Sequence, residues 1–145
     1  CCLRFFTVYG PRQRPDLAIR KFTELIDRNQ PITMYGDGTT QRDYTFISDI
    51  IDGVVSTIDK RFDFEIINLG DSNPIKLTKL IELIERELGK KAQINRLPEQ
   101  PGDVQQTYAD IGKAERILKY QPKVSIEQGI RLFVAWHKER KKDKK

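Results

Sequence analysis

The chain contains few of the side chains that build disulfide networks or metal clusters, with two cysteines, one histidine, one methionine and one tryptophan in 145 residues. The cysteines are the neighbours Cys1 and Cys2, a spacing that forms neither a disulfide framework nor a usual metal cluster. Such cysteine usage is typical of a reducing compartment, and we expect a cytoplasmic location. The single histidine, His137, lies among lysines, so we expect it to be exposed, with no catalytic role and no metal.

Long apolar runs are also missing, and no charged-then-apolar signal segment opens the chain, so we expect no membrane partner. The net charge of +5 comes mostly from residues 138–145, which carry six positive and two negative groups and leave the remainder at +1. Cations at the end of a predicted helix favour the negative end of its dipole, so we interpret this tail as a solvated helix terminus. We expect no nucleic-acid partner; a basic binding arm is the alternative.

The motifs of common catalytic centres are absent as well. No glycine-rich phosphate loop opens a predicted helix, no tyrosine is followed by a lysine four residues later, and no Gly-x-Ser-x-Gly element occurs. The residues alone therefore show no catalytic centre. What they do indicate is an anion-binding unit, for the reasons given below.

Predicted strands and helices alternate along the chain, which favours an α/β fold in one globular unit. The apolar opening run, residues 1–8, predicts a strand buried on both faces, and further strands are predicted at 32–35, 64–70 and 92–97. Ser48 is expected to cap a helix. The apolar face of that helix is predicted to consist of Ile50, Ile51, Val54, Val55 and Ile58.

Two polar segments are candidates for an anion site. Asp37 and Gly38 form a turn dipeptide, and Arg42 follows with a planar guanidinium suited to bidentate capture of a phosphate or carboxylate. The loop with Arg12 and Arg14 follows the first predicted strand, where ligands of α/β sheets bind. A surface Arg42 paired with Asp43 or Asp49, and a merely solvated basic loop, both stay open as alternatives.

Asp103 is a third candidate, because it lies on the rigid Pro-Gly turn of residues 98–103. A carboxylate held in this way can accept hydrogen bonds from two sugar hydroxyls. Turn aspartates also bond to their own backbone, so this alternative stays open.

Five motifs occur in an order that resembles the C-terminal half of the extended short-chain dehydrogenase/reductase family, in particular its NAD-dependent UDP-sugar 4-epimerases. They are LRFFTVYGP (residues 3–11), RPDLA (14–18), YGDG (35–38) with RDY (42–44), NLG (68–70) and QPGDV (100–104). Within the family the chain most resembles UDP-glucuronate 4-epimerase. Thr7 and Gln100 carry this finer distinction, since galactose-type epimerases usually have Asn and Arg there.

This resemblance implies that residues 1–145 are the nucleotide-sugar-binding portion of an epimerase. The implied fold combines the last strands of a Rossmann-type parallel sheet, near 1–8 and 64–69, with a smaller α/β substrate-binding domain. NAD would be held mainly by an N-terminal half that is absent from these residues. The implied reaction oxidises the sugar at C4 and returns the hydride to the opposite face, and the isolated chain is expected to be inactive.

The resemblance also implies residue roles in binding a UDP-sugar. Arg42 would hold the diphosphate, Asp103 the ribose hydroxyls, and Thr7 the diphosphate or sugar. Main-chain groups of the segment that contains Met34 and Tyr35 would line the uracil. Arg14, with Arg12 as second candidate, would bind the sugar carboxylate.

Alternative functions remain open at this stage. They are an epimerase for UDP-glucose or UDP-N-acetylglucosamine, a dehydratase or decarboxylase of the same fold, and a non-catalytic UDP-sugar-binding module. A homodimer formed through the exposed edge of the first strand is a further hypothesis.

Overall fold

The computed structural model describes residues 1–142; positions 143–145 of the predicted solvated tail lie outside the described residues. Seven strands and five helices are described in this part of the chain. The strands are β1 (Cys2–Phe5), β2 (Thr7–Tyr9), β3 (Ile32–Tyr35), β4 (Gln41–Phe46), β5 (Ile66–Leu69), β6 (Pro74–Lys76) and β7 (Ile94–Leu97). The helices are α1 (Ala18–Asp27), α2 (Ile47–Ile58), α3 (Leu77–Leu88), α4 (Gly112–Leu118) and α5 (Ile126–Lys142).

The seven strands form three small sheets and not one continuous sheet. β1 pairs with β5, and β3 pairs with β7, both in parallel. In the third sheet, β4 lies between the parallel strand β2 and the antiparallel strand β6. The predicted α/β class is confirmed, since parallel strands joined by helices dominate the described residues.

The opening segment differs from the predicted single buried strand. It breaks at Phe6 into β1 and β2, which belong to different sheets. β1 has one strand neighbour in the described part of the chain, and the side chain of Phe5 is 52% exposed. The prediction of burial on both faces was therefore wrong for β1, because a strand is covered only where neighbouring elements pack on it.

Two apolar clusters hold the elements together. The larger lies between α1, α3, α5 and the strands β2, β3 and β4, and its centre includes Ile19, Ile84 and Phe133. The smaller joins α2, β5 and α4 through residues such as Ile50 and Leu69. Burial of this apolar surface supplies the main stabilising free energy.

The helix α2 corrects two predictions. Ser48 is not its cap: the helix begins at Ile47, and no side chain caps it. Ile51, Val55 and Ile58 are 49%, 56% and 70% exposed, so this part of the predicted apolar face points outward. The inward side of α2 is instead formed by Asp49, Ile50 and Gly53.

His137 was predicted to be exposed, and this prediction was wrong. Its side chain is 13% exposed, and its Nε2 lies 3.1 Å from Oδ2 of Asp27. Lys90 and Lys141 contact the same carboxylate at 3.1 Å and 2.7 Å. Burial of Asp27 opposes ionisation, but hydrogen bonds from Lys141, Lys90 and His137 outweigh it and lower its pKa. This cluster ties α1 to α5 and to the end of α3.

Across residues 1–142, none of the helices is both long and apolar enough to cross a membrane.

Gly129 in α5 provides a test of this packing, because a Cβ added there would overlap the ring and the hydroxyl of Tyr9. Tyr9 is fully buried in the larger apolar cluster, so its ring is held by neighbours on all sides. We expect Gly129→Ala to lower the free energy of unfolding by about 1–3 kcal/mol, as overpacking does in well-packed cores. The matched control is Gly112→Ala at the start of α4, which we expect to change stability by less than about 1 kcal/mol. Equal urea midpoints for both variants would contradict the packing described for Tyr9.

Candidate functional site

The candidate site lies beside the turn that joins β3 to β4. Gly36 and Gly38 have φ angles of +68° and +85°, conformations that favour glycine. Oδ1 of Asp37 accepts hydrogen bonds from the N–H and the hydroxyl of Thr39, at 2.9 Å and 2.5 Å. These bonds lower the pKa of Asp37. The predicted reversal of the chain is thereby confirmed, and β4 starts with Gln41 and Arg42 at a fixed position.

A cleft of about 230 Å³ opens beside this turn. It is lined by Asp16, Ala18, Lys21, Phe22, Thr33, Tyr35, Thr40, Arg42, Tyr44, Leu77 and Asp103. Cations, carboxylates and aromatic rings therefore share one concave surface, which is the usual composition of a site for a polar ligand with an aromatic part.

Arg42 and Asp103 meet in this cleft although they are 61 residues apart in sequence. Nη2 of Arg42 lies 2.5 Å from Oδ1 of Asp103, and Nη1 donates to the main-chain oxygen of Gln41 at 2.8 Å. The proposed surface pairing of Arg42 with Asp43 or Asp49 was wrong, since both of those carboxylates are buried and accept hydrogen bonds from main-chain N–H groups elsewhere.

The loop that carries Asp103 is anchored to β4. Residue 103 itself closes a turn by donating its main-chain N–H to Gln100 O at 3.2 Å. Further along, Gln41 N–H donates to Gln105 O at 2.8 Å, and Thr107 N–H donates to Gln41 O at 3.1 Å. This segment therefore runs alongside β4 and brings Asp103 to the cleft.

Four other predicted residues lie outside the lining of this cleft. Arg14 is near it, because its exposed side chain pairs at 3.0 Å with Asp16, which does line the cleft. Arg12 is exposed and has a φ of +68°. Thr7 is half-buried on β2 opposite Tyr44, and the side chain of Met34 is in the core, 1% exposed. Met34 can therefore reach a ligand only through its main chain.

Lys21, Phe22 and Tyr44 line the cleft but were not among the predicted site residues. Ala18, Lys21 and Phe22 share one face of α1 at spacings of three and four residues. Tyr44 follows Arg42 by two residues on β4, so both side chains point to the same side. Burial raises the pKa of Tyr44 to about 12, and the charge of Arg42 acts in the opposite direction.

Lys21 is the second cation in the lining of the cleft, besides Arg42. The Arg42 and Asp103 charges compensate each other, and Asp16 is compensated by Arg14. Among the ion pairs between described residues, none involves Lys21. The lining itself is balanced, with Lys21 and Arg42 against Asp16 and Asp103. Because Arg14 pairs with Asp16 from outside the lining, Lys21 is the cation left for an anionic ligand.

A family model and several relatives match nearly the whole chain. The family model for GDP-mannose 4,6 dehydratase matches residues 1–133. The chain belongs to this family. A UDP-glucuronate 4-epimerase from Thermodesulfobacterium geofontis is 46% identical to this family member over 138 residues, covering 94% of this chain and 42% of that protein. An uncharacterised protein from Methanocaldococcus jannaschii is 52% identical over 139 residues, covering 96% of this chain and 43% of that protein.

Solved structures agree with these relatives. The UDP-glucuronic acid 4-epimerase from Bacillus cereus, in complex with UDP-glucuronic acid and NAD, superposes with a TM-score of 0.89 at 39% identity, over 95% of this chain and 45% of that one. The UDP-glucose 4-epimerase from Thermotoga maritima, with UDP-glucose, gives a TM-score of 0.88 at 30% identity and the same coverage. The predicted resemblance is confirmed, and the chain spans less than half the length of these relatives.

The described residues do not by themselves fit NAD, the cofactor in the Bacillus cereus complex. A dinucleotide site needs a glycine-rich turn that opens a helix. Gly36 and Gly38 instead join β3 to the strand β4, so no such turn precedes a helix there. The phosphates of NAD would have to be bound by residues outside this chain.

Asp71 follows β5 close to the buried carboxylates, and it gives a pH-dependent test. Burial, followed by the charges of Asp43 and Asp49, raises its pKa from 3.8 to about 6. Because the unfolded chain loses this proton more readily, the group's contribution to stability is present below about pH 4 and is lost as the pH rises to about 6. We expect Asp71→Asn to abolish that part of the pH dependence in urea unfolding. The exposed control Asp59→Asn should keep it, and an unchanged profile in Asp71→Asn would contradict the raised pKa.

Proposed function

We propose that this chain is the nucleotide-sugar-binding part of an NAD-dependent UDP-sugar 4-epimerase, and that its substrate is UDP-glucuronate, converted to UDP-galacturonate. The observation that carries the proposal is the convergence of Arg42, Lys21, Asp103 and Tyr35 on one cleft. The names of the relatives support the same class of reaction.

The diphosphate is the part of the ligand with the clearest match. Two N–H groups of Arg42 are used for Gln41 and Asp103, and a guanidinium has five. The remaining N–H groups are the donors that we assign to phosphate oxygens, with Lys21 as a second cation. Asp103, held beside Arg42, is the acceptor that we assign to the ribose hydroxyls.

Aromatic and main-chain groups match the base. The Tyr35 side chain is 38% exposed at the end of β3, and Phe22 and Tyr44 line the same cleft. An aromatic face suits stacking against uracil. In this proposal Met34 and Tyr35 contribute main-chain contacts, and Met34 keeps its side chain in the core.

Recognition of glucuronate is assigned to Arg14, with Arg12 as the second candidate and Thr7 as a contact to the diphosphate or sugar. A bidentate arginine distinguishes a carboxylate from a hydroxymethyl group. The pair of Arg14 with Asp16 supports this assignment, since Asp16 lies in the cleft wall and 64% of its side chain remains accessible.

The cofactor half is proposed to pack against β1. β1 and β5 form a parallel pair with an open edge in the described residues, as expected for the last strands of a longer Rossmann sheet. In this proposal an N-terminal half holds NAD and the catalytic groups, and the isolated chain binds UDP without turnover. Alternatively, a second copy of the chain pairs with the same edge and forms a homodimer, which sedimentation at high concentration would reveal. A cytoplasmic location stays a prediction.

A second candidate reaction is favoured by the family description, which is that of a dehydratase. Analysis of the products formed from UDP-glucuronate by the complete enzyme separates a 4-epimer from a dehydrated or decarboxylated sugar. A non-catalytic module would bind UDP and form no product even with the cofactor half present.

Arg42→Ala tests the diphosphate assignment. A charge-assisted hydrogen bond contributes about 1.5–3 kcal/mol to the binding free energy. Its loss should therefore weaken UDP binding roughly ten- to a hundredfold, as measured by calorimetry. The matched control is Arg86→Ala, which removes an exposed arginine paired with Glu87 on α3. UDP dissociation constants equal to wild type in Arg42→Ala would remove Arg42 from the site.

Arg14→Ala tests substrate choice. We expect it to weaken the binding of UDP-glucuronate by about tenfold. The affinity for UDP-glucose should stay within about twofold of the wild-type value, because only the contact to the carboxylate is lost. Arg12→Ala is the matched variant in the same loop. If Arg12→Ala alone shows the selective loss, the two arginines exchange roles; if neither does, glucuronate specificity resides elsewhere.

A further inference from the structure

Asp43 is a carboxylate with no solvent exposure and no cation in contact among the described ion pairs. A buried charge is tolerated only where hydrogen-bond donors replace water. Oδ1 accepts from Asp71 N–H at 2.8 Å and from the Thr45 hydroxyl at 3.3 Å. Oδ2 accepts from Ser72 N–H and Ala109 N–H, each at 3.0 Å.

The three main-chain donors come from two loops that are distant in sequence, whereas Thr45 lies on β4 itself. Asp71 and Ser72 follow β5, whereas Ala109 follows the segment that leads from Asp103. The approach is so close at Gly70 that an added Cβ would overlap Ala109 and lie 3.4 Å from the Asp43 carboxylate. The carboxylate therefore fastens both loops to β4 at one point.

The same residue fixes the register of residues 105–109 along β4. Its main-chain N–H donates to the Thr107 hydroxyl at 3.1 Å, next to the main-chain bonds between Gln41 and residues 105 and 107. Its carboxylate then binds Ala109 N–H, two residues further on. A shift of this segment along β4 would move Asp103 away from Arg42.

We infer that Asp43 is the positioning residue of the cleft. It acts on the opposite side of β4 from Arg42 and holds Asp103 at the distance at which the two can share one ligand. The inference rests on the proposed function for the identity of that ligand, UDP, but the positioning itself concerns the free protein. Because Asp43 has no exposed surface, it would act through Asp103 and not by contacting the ligand.

Asp43→Asn tests the inference, because an amide can accept on one side only and turns its NH₂ toward main-chain donors on the other. We expect UDP to bind about tenfold more weakly, or worse, as when one charge-assisted hydrogen bond is lost. In the free protein, the NMR signal of Arg42 Nε–Hε should shift toward its position in Asp103→Ala, and the amide of Ala109 should exchange faster.

The matched control is Asp49→Asn, which alters another buried carboxylate, one that accepts from Val124 N–H at 3.0 Å. We expect it to lower stability and to leave both the Arg42 signal and the UDP affinity unchanged. Should Asp43→Asn fail to fold, Thr107→Val removes the acceptor of Asp43 N–H and should shift the Arg42 signal in the same direction.

Two outcomes separate this inference from the proposed function. If Asp43→Asn or Thr107→Val destabilises the chain like Asp49→Asn but leaves the Arg42 signal at its wild-type position, Asp43 is merely structural and the inference is overturned. If the wild-type chain fails to bind UDP, the proposed function fails, and the Arg42 signal alone decides whether Asp43 positions the pair.

Discussion

The burial of one carboxylate, Asp43, is the constraint on which the rest of this structure depends. A charge without solvent or a cation needs main-chain donors, and they come from the loop after β5 and from the segment before α4. Both segments must therefore reach β4 before the fold is complete. Their convergence closes the smaller apolar cluster and, on the other side of the strand, forms one wall of the cleft.

The alternation of side chains along β4 connects this constraint to function. Asp43 and Thr45 are fully buried, whereas Arg42 and Tyr44 line the cleft. Both sides of the strand therefore contribute to stability, since Tyr44 and Phe46 also belong to the larger apolar cluster, but only the side with Arg42 and Tyr44 faces the cleft. Since the cleft also receives Lys21 from α1, Tyr35 from β3 and Asp103 from a distant loop, its chemistry comes from four parts of the chain.

Local signals predicted much of this arrangement from the sequence. The turn at Gly38 follows from residue type and spacing, and the same signals pointed to Arg42, which lies in the lining of the cleft. The partner of Arg42 could not be predicted in this way, because Asp103 lies 61 residues further along the chain. The same limit explains why the exposure of His137 was mispredicted, since its ring pairs with Asp27 of another helix and is only 13% exposed. It also applies to Asp49, which accepts a hydrogen bond from a main-chain group 75 residues away.

The most direct test of the cleft as nucleotide site is an NMR titration of the chain with UDP, following all main-chain and arginine side-chain signals. We predict that the largest shifts cluster at Lys21, Tyr35, Arg42 and Asp103, with smaller shifts at Asp71 and Ala109, which share the Asp43 carboxylate. Shifts that cluster elsewhere on the surface, or none at millimolar UDP, would contradict the assignment of this cleft as the nucleotide site.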